Sequence, residues 1–96
     1  MPMIIATGQC EDATRWEKGF RSHAKLFRLQ SVVSPVQFTV NDSNNFAILF
    51  EAESLEQYQD ILESEATADA MASDGVISGT IKVFLLDREF DLSAPA

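Results

Sequence analysis

Two stretches, F-A-I-L-F at residues 46–50 and I-K-V-F-L-L at 81–86, carry apolar side chains at nearly every position. Successive side chains of a β-strand point to opposite faces, so strands built from these runs are apolar on both. Phe46, Ile48 and Phe50 oppose Ala47 and Leu49, and Ile81, Val83 and Leu85 oppose Phe84 and Leu86. A sheet containing them needs cover on both sides, and what the rest of the chain can supply as cover decides the fold.

The remaining elements follow from periodicity and punctuation. Residues 3–8, M-I-I-A-T-G, form a short apolar run ending at Gly8, the pattern of a buried strand. Asp12 and Thr14 are both good N-caps, and Thr14-Arg15-Trp16-Glu17 fits a capping box, which predicts a helix running to about Gln30. At about 100° per residue, Trp16, Phe20, His23 and Phe27 fall within one arc of about 60°. Lys18, Arg21, Lys25 and Arg28 lie opposite.

Residues 32–40 alternate Val36, Phe38 and Val40 with Gln37 and Thr39, and Pro35 makes this strand an edge. The turn formers of N-D-S-N-N, 41–45, join it in a hairpin to a strand at 46–52. Ser54-Leu55-Glu56-Gln57 is a second capping box. It opens a helix with Leu55, Tyr58, Leu62 and Ala66 on one face and Gly75 as its C-cap, and residues 80–86 make the last strand.

The order βαββαβ with short connections is the ferredoxin-like α+β pattern, one domain over residues 1–96: an antiparallel four-stranded sheet with two helices on one face. The bulkier Phe46, Ile48 and Phe50 are expected under the helices. Two small helices cannot cover both faces, and a large exposed apolar patch is a liability, so the second face is expected to pack against another copy of the chain. The expected assembly is a sheet-to-sheet homodimer closing an α+β barrel.

Composition narrows function mainly by exclusion. A formal net charge of −8 repels phosphate backbones and anionic lipid, so neither nucleic acid nor a membrane surface is an expected partner. Cys10, the single cysteine, cannot form an intrachain disulfide, and no basic start with a long apolar run marks a signal peptide; the expectation is a soluble, cytoplasmic protein. The four glycines are scattered rather than clustered into a phosphate loop, and one His with one Cys makes a metal site unexpected. No cofactor is expected.

The helix D-x3-W-x3-F-x2-H, here Asp12, Trp16, Phe20 and His23, resembles that of a small uncharacterised bacterial group within the dimeric α+β barrel superfamily. A second block, Ser64 through Ala70-Met71 to Gly75-Val76, resembles the S-x-E-x3-A-M-x3-G-V segment before the last strand of that group, with Glu65 here directly following Ser64. The superfamily holds cofactor-free monooxygenases of antibiotic biosynthesis, polyketide cyclases, haem-degrading enzymes and isomerases. The resemblance therefore implies a pocket, between the sheet and the two helices, rather than one reaction.

The arc of Trp16, Phe20, His23 and Phe27 would face such a pocket from the first helix, Tyr58 and Leu62 from the second, and Phe46, Ile48 and Phe50 from the sheet. These nine are the candidate ligand-binding residues. Ala66, Ala68, Ala70 and Ala72 are too small to fill the space opposite large aromatics, which would leave a cavity for a fatty-acid-like or polyketide-like molecule. His23 reads equally as a core histidine bonded to a backbone carbonyl. As a catalytic pair, His23 would be the general base and Tyr58 the hydroxyl donor of a cofactor-free monooxygenase, cyclase or isomerase. A structural or regulatory dimer without ligand is the third reading. Arg15, Lys18, Arg21, Lys25 and Arg28 are expected to pair across the helices with Glu56, Asp60 and Glu63.

Overall fold

A computed structural model describes residues 2–93, apart from the side chain of Ser34. Four strands, β1 (Met3–Gln9), β2 (Val32–Val40), β3 (Asn45–Ala52) and β4 (Lys82–Leu86), form one antiparallel sheet in the order β2-β3-β1-β4. This is the ferredoxin-like order. Pro35 lies on an edge strand as expected, where the β2–β3 ladder is interrupted between Val33 and Gln37. The hairpin turn is held by Asn41, whose Oδ1 accepts from the N–H groups of Ser43 and Asn45, while Asn44 takes a left-handed φ of 61°.

The first expected helix is broken in two: α1 spans Ala13–Arg21 and α2 Ala24–Leu29. The N-cap of α1 is Asp12, whose carboxylate accepts from the Thr14 N–H; Thr14 itself lies inside the helix. Gly19 weakens the last turn, and Ser22, the C-cap, donates its hydroxyl to the Gly19 carbonyl, ending the helix at Arg21, two residues before His23. The second expected helix also breaks, into α3 (Leu55–Leu62) and α4 (Glu65–Ser73), because Ser64 caps a new start by accepting from the Thr67 N–H. That break turns Ala66, Ala68 and Ala72 to solvent, so of the four alanines only Ala70 lines the interior.

Helix α4 ends in a Schellman motif. Gly75 adopts φ +78°, its N–H donates to the Ala72 carbonyl, and the Val76 N–H reaches back to Met71. The Glu11 N–H then donates to the Gly75 carbonyl and Ile77 N–H to Gln9, stitching this corner to the end of β1. Asp74 is thereby fixed against α1.

Ile4, Ala6, Phe46, Ile48, Phe50 and Ala52 of the sheet meet Trp16, Phe20 and Tyr58 of the helices in one buried core. Trp16 stacks on Phe46 with centroids 4.5 Å apart and on Phe20 at 4.9 Å. On the other face none of the described residues covers the sheet: Phe84, Ile5, Leu49 and Gln37 form one row across the four strands, with Met3 and Leu86 beside it. Phe84 and Leu86 are about half exposed.

The expected cross-helix ion pairs do not form. Arg15 and Arg21 each pair within their own stretch, with Glu11 at 3.3 Å and Glu17 at 2.9 Å, and a second Arg15 nitrogen donates to the Ser73 carbonyl. Acids four residues upstream are closer partners than another helix can offer.

Candidate functional site

A cavity of about 80 Å³ lies between the sheet and the four helices. All nine candidate residues line it: Trp16, Phe20, His23, Phe27, Phe46, Ile48, Phe50, Tyr58 and Leu62. Strands supply Phe46, Ile48 and Phe50 because alternate positions of β3 share the helix face. Helix α1 supplies Trp16 and Phe20 from one stripe, α2 supplies Phe27, and α3 supplies Tyr58 and Leu62 at i and i+4.

His23 sits at the break between α1 and α2, where its ring is released from the helical stripe and turns to Asp74. Nε2 lies 2.9 Å and 3.1 Å from the two carboxylate oxygens. The partner is thus a carboxylate from the end of α4 and not the backbone carbonyl expected of a core histidine. Gly19 makes the contact possible: a Cβ there would lie 1.9 Å from Asp74 Oδ1. In the neutral ring, Nε2–H donated to Asp74 leaves the lone pair on Nδ1, which makes no hydrogen bond among the described residues. His23 and Asp74 also line a surface groove with Arg15, Lys18, Gly19, Ser22 and Ser73, so the pair forms the wall between cavity and solvent.

Tyr58 is buried against Phe50, with ring centroids 5.2 Å apart. Its hydroxyl makes no hydrogen bond among the described residues, and burial pushes the phenol up to about 12, keeping it a neutral donor.

At the far end of α2, Gln30 is 3% exposed and its amide Nε2 lies 3.5 Å from Thr67 Oγ1. Gln30, Thr67 and Asp74, three polar residues that line the cavity, do not stand out in the sequence. Asp74 could have been suspected from Gly19, since a glycine inside a helical pattern marks a close approach. Gln30 closes an apolar stretch and carries no such signal.

No protein-family model matches the sequence, and no curated protein matches it. The fold, by contrast, is shared with solved structures. SnoaB from Streptomyces nogalater, a cofactor-independent oxygenase, superposes with a TM-score of 0.68 at 12% identity, over 97% of each chain. An antibiotic biosynthesis monooxygenase superposes at 0.64 with 13% identity, over 93% of this chain and 99% of that one. Rv0793 from Mycobacterium tuberculosis does so at 0.62 with 12% identity, over 97% and 100%. The chain shares the ferredoxin-like α+β fold of these structures, the fold that the D-x3-W-x3-F-x2-H resemblance implies. No helix among the described residues is long and apolar enough to cross a membrane.

Proposed function

We propose that the protein binds a compact apolar or amphipathic molecule, fatty-acid-like or polyketide-like, in the cavity between sheet and helices. The observation that carries this reading is the convergence of large aromatic walls from α1, α2 and β3 on a space that holds Tyr58, Gln30, Thr67 and the His23–Asp74 pair as its few polar groups. At about 80 Å³ the space is smaller than the ~150 Å³ of an engineered cavity that takes up benzene. Binding therefore displaces the half-buried wall of Leu26, Phe27, Leu62 and Met71, and a ring system needs less displacement than a long acyl chain. The fold neighbours, one of them a cofactor-independent oxygenase, support a small-molecule site.

The assembly we propose is a homodimer joined through the open sheet face. Ile5, Leu49, Phe84 and Leu86 form a contiguous apolar surface, and Phe90 and Leu92 extend the exposed apolar area beyond β4.

Methyl NMR tests the cavity. Titration with 1-naphthol and with 1-octanol should shift the Ile48, Leu62 and Met71 methyl signals saturably, and Ala70→Leu, which fills the space, should abolish the shifts. Absence of saturable shifts with either compound at millimolar concentration would refute binding in this cavity.

The His23–Asp74 contact favours a second reading, a cofactor-free enzyme of the monooxygenase, cyclase or isomerase kind. A carboxylate holding Nε2–H leaves Nδ1 as a base, and Tyr58 is a neutral donor to a developing enolate. Deuterium wash-in beside the carbonyl of a bound aromatic ketone, lost in His23→Gln, would support it; exchange unchanged by that substitution would count against it.

A further inference from the structure

Gln30 ends helix α2 inside the protein, and its Oε1 is the buried side-chain polar atom left without a hydrogen-bond partner among the described residues. The orientation of the amide is fixed by what lies behind it. Thr67 Oγ1 approaches the Ile61 carbonyl to 2.5 Å, and a carbonyl has no proton, so the hydroxyl proton of Thr67 occupies that contact. Thr67 can then only accept from Gln30. The amide must present Nε2 to Thr67 and keep its carbonyl as the free group.

An unpaired buried carbonyl is unfavourable, a penalty that a donor on a bound molecule removes. The charges around the same cavity argue against an anion. Asp74 lines it, its one close partner is His23, and none of the described lining residues is a lysine or arginine. A carboxylate entering this space would meet a second carboxylate and a carbonyl oxygen, and the one described lining group able to carry positive charge, His23, is already held by Asp74.

We propose that the cavity selects a neutral molecule bearing an O–H or N–H donor, which pairs with the Gln30 carbonyl, and that it rejects carboxylates. Gln30 is then the residue that sets specificity, with Thr67 holding it in place. The proposal rests on the binding reading above and narrows its ligand to an alcohol, phenol or amide.

Three probes of one ring size separate the possibilities: toluene, benzyl alcohol and benzoate, each titrated by methyl NMR against the wild-type chain, Gln30→Leu and Gln30→Met. The two variants guard against one of them failing to fold. The expected result is that benzoate does not bind, and that the affinity of benzyl alcohol relative to toluene falls about tenfold in the variants, with toluene itself bound no more weakly. If the benzyl alcohol to toluene ratio is the same in wild type and variants, or if benzoate binds as tightly as benzyl alcohol, Gln30 does not select and the proposal fails while the cavity reading stands. If none of the three binds, the cavity reading itself fails.

Discussion

The two faces of the sheet are built by the same strands, one residue out of step, and end in opposite states. On one face Ile4, Ile48, Phe50 and Ala52 are almost wholly removed from solvent. On the other, Ile5 and Leu49 are half-buried and Phe84 and Leu86 lie open. Strand propensity cannot distinguish them, because both faces draw on the same runs of apolar residues. The difference is the supply of cover. Four short helices bury the helix face of β1 and β3, but β4 at the sheet edge is covered less, and even Val83 and Leu85 on its helix side remain 40% and 45% exposed. A chain this size covers one face from its own resources, and the composition of the second face is what a partner surface requires.

The sharpest way to break that contrast uses one residue type on each face. Phe50 is 3% exposed on the helix face and Phe84 is 51% exposed on the open one. Phe50→Ala should cost about 3–5 kcal/mol of unfolding free energy by urea denaturation, through lost burial and the cavity left beside Tyr58. Phe84→Ala should cost under about 1 kcal/mol at low concentration while weakening self-association in sedimentation velocity. A large, concentration-independent loss from Phe84→Ala would mean that the open face carries the protomer's own stability and is not a partner surface.

The next effect is electrostatic and belongs to the helix face alone. Tyr58 is the only tyrosine, and burial raises its phenol from 10 to about 12. Its folded-state value lies above its unfolded one, so its contribution is intact below about pH 10 and is lost as pH rises towards 12, where the unfolded chain ionises and the folded one resists. Each unit of separation is worth about 1.4 kcal/mol, which gives a loss of up to about 3 kcal/mol by pH 12. Tyr58→Phe should remove that component from the alkaline unfolding profile. Tyrosinate absorbance appearing at pH 10 in the folded protein would show that the phenol is not shielded.

Most of this architecture is legible in the sequence because period-two alternation and turn chemistry are local. The strands, the Asn41–Asn45 turn and the edge position of Pro35 all follow from neighbours in the chain. The helix breaks do not. Ser22 and Ser64 interrupt helical patterns that are otherwise continuous, and their hydroxyls act as stop and start signals where tertiary contacts also bring His23 to Asp74 and Thr67 to Gln30. The aromatic cavity walls could be anticipated from helical spacing. Of their polar complement, His23 and Tyr58 follow from the same spacing and Gly19 hints at a close approach, but the partners themselves do not, since Asp74 lies 51 residues from His23 and Thr67 lies 37 from Gln30.

The smallest effect probes the cavity's solvent wall, where the helix face is least dense. Replacing a helical glycine by alanine normally stabilises, by roughly 0.5–1 kcal/mol. At Gly19 the added Cβ would occupy the position of Asp74 Oδ1, so the carboxylate must move and give up His23, a charged hydrogen bond worth about 1.5–3 kcal/mol. Gly19→Ala should therefore destabilise by about 1–2 kcal/mol. In an Asp74→Ala background the obstacle is gone, and the same substitution should revert to stabilising. A double-mutant cycle by thermal denaturation reads the change of sign directly. If Gly19→Ala stabilises in both backgrounds, the His23–Asp74 contact contributes nothing to the fold, and the wall between cavity and groove is held by packing alone.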